Sequence, residues 1–163
     1  MHSKYWKFFI KRLFQHSLNK MSIIATESES VQLQTNDGVI HTVSIDCALQ
    51  MCPVRNMIML ERQRNLYTND VIPLPRVDAK NLRFIIKWWS SVQDLEESVG
   101  TMGKKQLIQL LTEENASHDF LMQVILAANY LQMKDLLKAT THVLADALNE
   151  CESVEEIRKK FNL

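Results

Sequence analysis

The sequence of 163 residues is long enough for one domain with its own core, and its 46% hydrophobic and 23% charged residues are typical of a globular protein. Basic and acidic residues balance at 19 each, but five basic residues and no acid lie within residues 1–20. The remainder therefore carries 14 basic against 19 acidic residues. This mildly acidic body excludes nucleic acid as the expected partner. Three cysteines without a Cys-x-x-Cys pair exclude a disulfide framework and favour a reducing, intracellular compartment.

Residues 1–29 are predicted to be a basic, disordered leader, and Met21 is a plausible start for the folded chain. The alternative is a membrane-surface or organelle-targeting segment, because a helix would place five apolar side chains on one face. These side chains are Trp6, Phe9, Ile10, Leu13 and Phe14. No uninterrupted apolar run reaches the ~18 residues that a bilayer-spanning helix needs, so we do not expect membrane contact.

A β-hairpin is predicted from Ser30, where the hydrophobic period becomes two. Val31 and Leu33 alternate with glutamines, residues 36–38 (Asn-Asp-Gly) give a strong turn signal, and a second alternating run reaches Ile45. A short helix over residues 45–50 and a longer helix with Pro53 in its first turn follow. Residues 71–75 read as a short extended segment, which its two prolines confine to a sheet edge.

Asp78 is predicted to cap a helix in which Leu82, Ile85 and Trp89 fall on one face. This helical periodicity places Trp89 in the core and Trp88 at the rim of the core or at a contact between subdomains. Residues 90–105 contain two of the three glycines and several acids, so they are predicted to form a mobile linker, and residues 106–112 a short apolar helix.

Nearly every position from Phe120 to Leu131 is apolar, which predicts a helix buried on all sides at the centre of the fold, capped by Ser117 or Asp119. It ends in Asn129 and Tyr130, whose side chains can both pack and hydrogen-bond. Two more helices are expected after it. Leu137, Leu144 and Leu148 share a face of the first, and residues 153–156 form a capping box at the start of the second.

Motifs of catalysis are absent from the sequence. It contains no P-loop, no dinucleotide-binding fingerprint, no Gly-x-Ser-x-Gly and no His-Glu-x-x-His. The five histidines are scattered, and none lies at metal-ligand spacing from a cysteine. The sequence therefore predicts a non-enzymatic interaction protein with no cofactor and no metal, which works through apolar and amphipathic surfaces.

The sequence contains four blocks that occur in the same order in a known family. They are Leu-Gln-Thr-Asn-Asp-Gly from Leu33, Ile-Pro-Leu-Pro from Ile72, Ile-Leu-Ala-Ala-Asn-Tyr-Leu from Ile125, and Glu-Glu-Ile-Arg-Lys-Lys-Phe-Asn-Leu from Glu155. Over residues 30–163 the chain resembles the Skp adaptors of Skp–cullin–F-box (SCF) ubiquitin ligases. The resemblance implies an α+β fold: a BTB/POZ-like domain with a small sheet and helices over residues 30–133, then a C-terminal helical extension over residues 134–163.

The resemblance also implies a function and its residues. A protein of this kind is a non-catalytic adaptor that bridges a cullin scaffold and F-box substrate receptors in the cytoplasm and nucleus, with weak homodimerisation through the extension. Asn129 and Tyr130 match the pair that contacts the cullin. The positions that match the F-box contacts are Leu137, Thr141, Leu144, Phe161 and Leu163. For Leu137 and Leu144, packing inside the domain is the alternative.

Departures from the family pattern concern mainly the F-box side. Residues 106–114 lack the family's aromatic residues, and the family continues beyond the position of Leu163 into an acidic segment and a further helix. The expectation is therefore weaker F-box binding than in other members. The alternative function is a BTB-type self-associating or decoy protein that binds a cullin without recruiting an F-box receptor.

Overall fold

The computed structural model describes residues 30–63, 71–94 and 99–161, so the basic leader lies outside the described residues. Three strands and seven helices lie within these ranges. In chain order they are β1 (Ser30–Thr35), β2 (Ile40–Ser44), α1 (Ile45–Ala48), α2 (Cys52–Gln63), β3 (Ile72–Leu74), α3 (Ala79–Val92), α4 (Val99–Glu113), α5 (His118–Tyr130), α6 (Lys134–Asn149) and α7 (Val154–Phe161). The predicted α+β class, with a small sheet and a helical C-terminal part, is confirmed.

The sheet has the order β2-β1-β3. The predicted hairpin pairs β1 with β2 antiparallel, with Leu33 opposite His41, and the same Leu33 pairs with Ile72 of the parallel strand β3. Strand β3 is at an edge, as its proline predicts, and Pro73 is exposed there while Ile72 is buried. One face of the sheet thus contributes to the core.

The hairpin turn is fastened to the start of α3 by Asp37. Its carboxylate accepts hydrogen bonds from the Thr35 hydroxyl and, at 3.2 Å, from the backbone N–H of Ala79. Gly38 supplies the positive φ of 81° that the turn needs. The Thr35 hydroxyl, followed by the Ala79 N–H, lowers the pKa of Asp37, because hydrogen bonds to the ionised carboxylate favour it.

Helix α3 begins as predicted, because the Asp78 carboxylate accepts the N–H of Asn81 at 2.7 Å. The prediction for its tryptophans was wrong. Trp88 is 1% exposed and Trp89 lies at the boundary of the core. The core face runs through Leu82, Ile85 and Trp88, and the Trp88 indole N–H donates to the carbonyl of Gly103 at 3.0 Å.

The Gly103 carbonyl that accepts the Trp88 indole belongs to helix α4, which starts earlier than the sequence predicts. The sequence predicted a linker up to Lys105, whereas the helix already begins at Val99. Glycines at positions 100 and 103 suggest a break, but Gly103 is buried and its carbonyl accepts the indole. Tertiary packing therefore outweighs the unfavourable helix propensity of glycine here.

We expect Asp37→Asn to lower the melting temperature at pH 7. We also expect the melting temperature of this variant to fall less than that of the wild type when the pH is lowered. The folded-state pKa of Asp37 is depressed, so its stabilisation is complete above the unfolded-state pKa of about 3.9 and is lost as the pH falls through the folded-state value. Thermal melts between pH 7 and pH 2 measure this. Asp94→Asn, at an exposed carboxylate after α3, is the control, and equal acid dependence in both variants would contradict the assignment.

Candidate protein-binding surfaces

Helix α5 is fixed at both ends by its own sequence. At its start the Ser117 hydroxyl accepts the N–H of Phe120 at 3.2 Å, as predicted. At its end Gln132 takes a positive φ of 54°, its N–H donates to the carbonyl of Asn129 at 3.1 Å, and the next N–H, of Met133, donates to Ala128 at 3.0 Å. This is a Schellman motif, which ends the helix at a defined residue.

Because the motif fixes the last turn, it also fixes the two residues predicted to contact a cullin. Asn129 is exposed, and Tyr130 is half-buried with part of its ring packed on the core. The end of α5 is further held by α2, whose Cys52 N–H donates to the carbonyl of Leu131 at 2.9 Å. The structure therefore brings Asn129 and Tyr130 together at the surface on a rigid support.

The body of α5 is not buried on all sides, contrary to the prediction. Its inner face is buried through Val124, Ala127 and Ala128, and packs on α3 and α6. On the outer face Met122 is 42% and Leu126 is 66% exposed. Sequence reasoning missed these two residues because an apolar run reads the same whether a core or a partner covers it.

The predicted F-box residues of α6 lie on one face. Leu137 and Leu144 are half-buried, and Leu137 packs partly on the core, so the alternative of packing inside the domain holds for it in part. Thr141 is exposed, and its hydroxyl donates to the carbonyl of Leu137 at 2.8 Å. The neighbouring face of α6 is fully buried through Leu136 and Thr140. The stripe of Leu137, Thr141 and Leu144 thus lies at the border between core and solvent.

Phe161, the next predicted F-box residue, packs on the start of α5. It is 8% exposed, and its ring meets that of His118 at the start of α5 edge to face, with 4.9 Å between centroids. The adjacent Lys160 donates to the carbonyl of Ala147 and to the Glu150 carboxylate, both at 2.9 Å. These contacts hold α7 against α5 and α6. Leu163, the remaining predicted F-box residue, lies outside the described residues.

The start of α7 is capped almost as predicted. The Ser153 hydroxyl accepts the N–H of Glu156 at 3.2 Å, while the Glu156 carboxylate accepts the N–H of Glu152 at 2.8 Å instead of that of Ser153. Beyond the cap, Ile157 is half-buried and Val154 is 58% exposed. Val154, Ile157 and Phe161 fall at i, i+3 and i+7, so the helix offers an apolar edge to solvent at its start, on the same side as Phe161.

An open cavity of about 270 Å³ lies between α4, α5 and α6. Its walls are mostly apolar, with Ile108, Leu121 and Val143 among them, and His118 borders it. The sequence does not predict this cavity, because its walls form only where three consecutive helices pack together.

Groups with unusual chemistry are few among the described residues. Burial raises the pKa of the Cys47 thiol to about 12, so it is neutral at physiological pH. Within the described ranges, no three His, Cys, Asp or Glu side chains are grouped so that they could hold a metal ion. None of the helices in those ranges is long and apolar enough to cross a membrane.

Comparison with known proteins finds relatives that share one name. The chain is similar to the E3 ubiquitin ligase complex SCF subunit sconC of three fungi. Identity is 29% over 146 residues for Arthroderma otae, 28% over 142 residues for Talaromyces marneffei and 30% over 142 residues for Aspergillus clavatus. The matches cover 85%, 83% and 83% of this chain, respectively, and 86% of each relative. No protein-family model matches the chain.

Phe161→Ala should lower the free energy of unfolding, and part of the loss should depend on His118. Edge-to-face aromatic pairs contribute about 0.5–1.5 kcal/mol beyond area burial, so a double-mutant cycle with His118→Ala should give a coupling energy of that size. Denaturant unfolding measures it. Ile157→Ala combined with His118→Ala serves as the control cycle, and additive losses for Phe161 and His118 would refute the contact.

Proposed function

The chain belongs to the Skp family of SCF ubiquitin ligase adaptors, and we propose that it is a non-catalytic adaptor that bridges a cullin scaffold and F-box substrate receptors. Membership rests on fungal SCF subunits whose similarity extends over more than four fifths of both chains. The observation that carries the proposal is the position of Asn129 and Tyr130 at the end of α5, which the hydrogen bonds of the following turn fix.

The cullin side of the proposal is centred on Tyr130. Its half-buried ring packs on the core, so little conformational entropy remains to be lost when a partner covers the rest of it. Tyrosine is also a frequent energetic anchor of protein interfaces, since it combines apolar area with a hydroxyl. Asn129 beside it is exposed and adds an amide that can both donate and accept.

The F-box side is assigned to α6 and α7. Leu137 and Leu144 keep part of their apolar surface in solvent, and Val154 and Ile157 extend apolar surface onto α7. A partner helix would gain affinity by covering this surface. The contacts of Phe161 with His118 and of Lys160 with Ala147 support this assignment, because they hold α7 in place before the partner arrives. Phe161 itself would need to leave His118 to contact the partner directly.

The proposal also gives the place of action of the protein, and it has one competitor. Recruitment of F-box receptors implies work in the cytoplasm and nucleus, where SCF ligases would meet their substrates. The competing function is a decoy that binds a cullin without an F-box receptor, or a protein that associates mainly with itself. Size-exclusion mass measurements with a cullin N-terminal fragment, with an F-box peptide and with neither separate these functions.

Tyr130→Ala should weaken binding of a cullin N-terminal fragment by about 2 kcal/mol, the usual loss for an aromatic anchor. Calorimetric titration measures this. Tyr130→Phe keeps the ring and is the matched control that separates packing from the hydroxyl. Unchanged affinity of Tyr130→Ala would show that the cullin site lies elsewhere.

Leu144→Asp should weaken binding of an F-box peptide at least about tenfold and leave cullin binding unchanged, because it places a charge within the half-buried apolar stripe. Ala145→Asp, at an exposed neighbouring position of α6, is the control and should bind the peptide like the wild type. Equal affinities of the two variants would place the F-box contact outside this face. Melting curves of both variants ensure that folded proteins are compared.

A further inference from the structure

The open cavity between α4, α5 and α6 has walls whose backbone is fixed. At the end of α4, Asn115 takes a positive φ of 47°, and the N–H of Ala116 donates to the carbonyl of Leu111 at 2.9 Å, as in a Schellman motif. Ser117 follows directly and caps α5. The wall residue Ile108 is 45% exposed, so the apolar wall extends to the surface. The cavity is therefore preformed and accessible to a ligand.

The cavity has the size and the chemistry for one aromatic side chain. Its volume is about 270 Å³, whereas an engineered apolar cavity of about 150 Å³ already holds benzene. Leu121 and Val143 supply apolar wall, and Thr112 and Asn115 add a hydroxyl and an amide. Tryptophan suits such a mixed lining, because its ring is apolar and its indole N–H usually finds an acceptor when it is buried.

The first 20 residues of the leader combine aromatic side chains with positive charge. Together with five basic residues and no acid, they hold five of the twelve aromatic residues of the chain, namely Tyr5, Trp6, Phe8, Phe9 and Phe14. In a helix, Trp6 and Phe9 would lie on one apolar face with basic residues elsewhere. The leader lies outside the described residues. Its sequence provides the kind of side chain that the cavity fits.

Charge beside the cavity favours the same segment. Glu113 and Glu114 directly follow the wall residue Thr112, and their carboxylates are partly exposed. Both pair with one lysine, Lys87, at 3.8 and 3.3 Å, respectively, so this group keeps a net negative charge. Residues 21–163 as a whole carry 14 basic against 19 acidic residues, an excess that the first 20 residues match with the opposite sign. Attraction between the two parts therefore steers the leader towards the acidic end of α4.

The leader is also long enough to reach the cavity. Residues 15–29 separate Phe14 from the start of β1 and span up to about 50 Å when they are extended. A compact domain of the size of residues 30–163 has a radius of gyration of about 14 Å, so its whole surface is within reach. A flexible link of this length gives an effective concentration on the order of millimolar, which keeps even a weak contact mostly formed.

We propose that the leader docks on the folded part of its own chain, with the Trp6 ring in the cavity and its basic residues beside Glu113 and Glu114. Docking removes the exposed apolar surface of Ile108 and the aromatic face of the leader from water at the same time. It also brings positive charge to the two carboxylates that share Lys87. The inference goes beyond the proposed function and does not depend on it.

The test labels the full chain with fluorotryptophan and records fluorine NMR spectra, in which Trp6→Phe identifies the Trp6 signal. The shift of this signal on exchanging water for heavy water measures the exposure of the ring. In the wild type it should be less than about half of the shift in a peptide of residues 1–20, because the docked state predominates. Ile108→Glu places a charge on the apolar wall, so the shift should rise to the peptide value.

Controls keep the test independent of folding. Leu60→Glu is matched to Ile108→Glu, since Leu60 is 53% exposed on α2, outside the cavity walls, and it should leave the Trp6 shift unchanged. Lys7→Glu combined with Lys11→Glu changes only the leader. It should raise the Trp6 shift towards the peptide value, as should high salt. The signal of Trp88, which is 1% exposed, is the internal reference and should keep its small shift in every variant.

Four results would overturn the inference. A wild-type Trp6 shift equal to that of the peptide shows no docking, and an Ile108→Glu shift equal to that of the wild type places the contact elsewhere. Protection of Trp6 only after addition of anionic phospholipid vesicles assigns the leader to a membrane surface. If sedimentation velocity shows that the wild type self-associates and Trp6→Ala does not, the leader docks on a second copy. Binding of the cullin fragment and of the F-box peptide tests the proposed function separately, so either can fail alone.

Discussion

The burial of one face of α5 is the interaction on which the other surfaces depend. Ala127 and Ala128 on this face are almost fully buried, and side chains so small let the neighbouring helices approach closely. Helices α3 and α6 pack there, and the Phe84 and Phe120 rings meet edge to face at 5.2 Å beside it. Since this face is fixed, the remaining parts of α5 are fixed too: its start beneath Phe161, its outer face and its last turn.

The turn after α5 separates the two surfaces that we propose for the cullin and the F-box. Gln132 adopts the left-handed conformation without being a glycine, and the Schellman hydrogen bonds to Asn129 and Ala128 offset part of that cost. Only three residues, 131–133, separate α5 from α6, and the two helices pack against each other. The surfaces proposed for the cullin and for the F-box therefore lie on consecutive helices that share one core. Under this proposal, the adaptor would hold its two partners at a relative position that the core determines.

Local sequence signals predicted the parts of the fold that local chemistry determines. The hairpin with its Asn-Asp-Gly turn, the caps at Asp78, Ser117 and Ser153, and the edge strand with Pro73 all appear where expected. The errors arose where the answer depends on distant residues. Trp88 is buried more deeply than Trp89, and the carbonyl of Gly103, on a helix that sequence rules placed later, accepts its indole N–H. No periodicity within α3 contains that information, since both tryptophans fit an apolar helix.

The residues discussed as candidate contacts also differ in whether the sequence alone could predict their position. Asn129 and Tyr130 stood out because polar atoms end an apolar run, and the structure places both at the surface. The exposure of Met122 and Leu126 could not be predicted, because an apolar run reads the same whether or not the fold covers each of its residues. Only the folded chain separates the two, since it shows which apolar residues the fold leaves uncovered. Phe161 is the converse case. A resemblance assigned it to a partner, yet its ring is already covered by His118 of the same chain, so any direct contact with an F-box must compete with this packing.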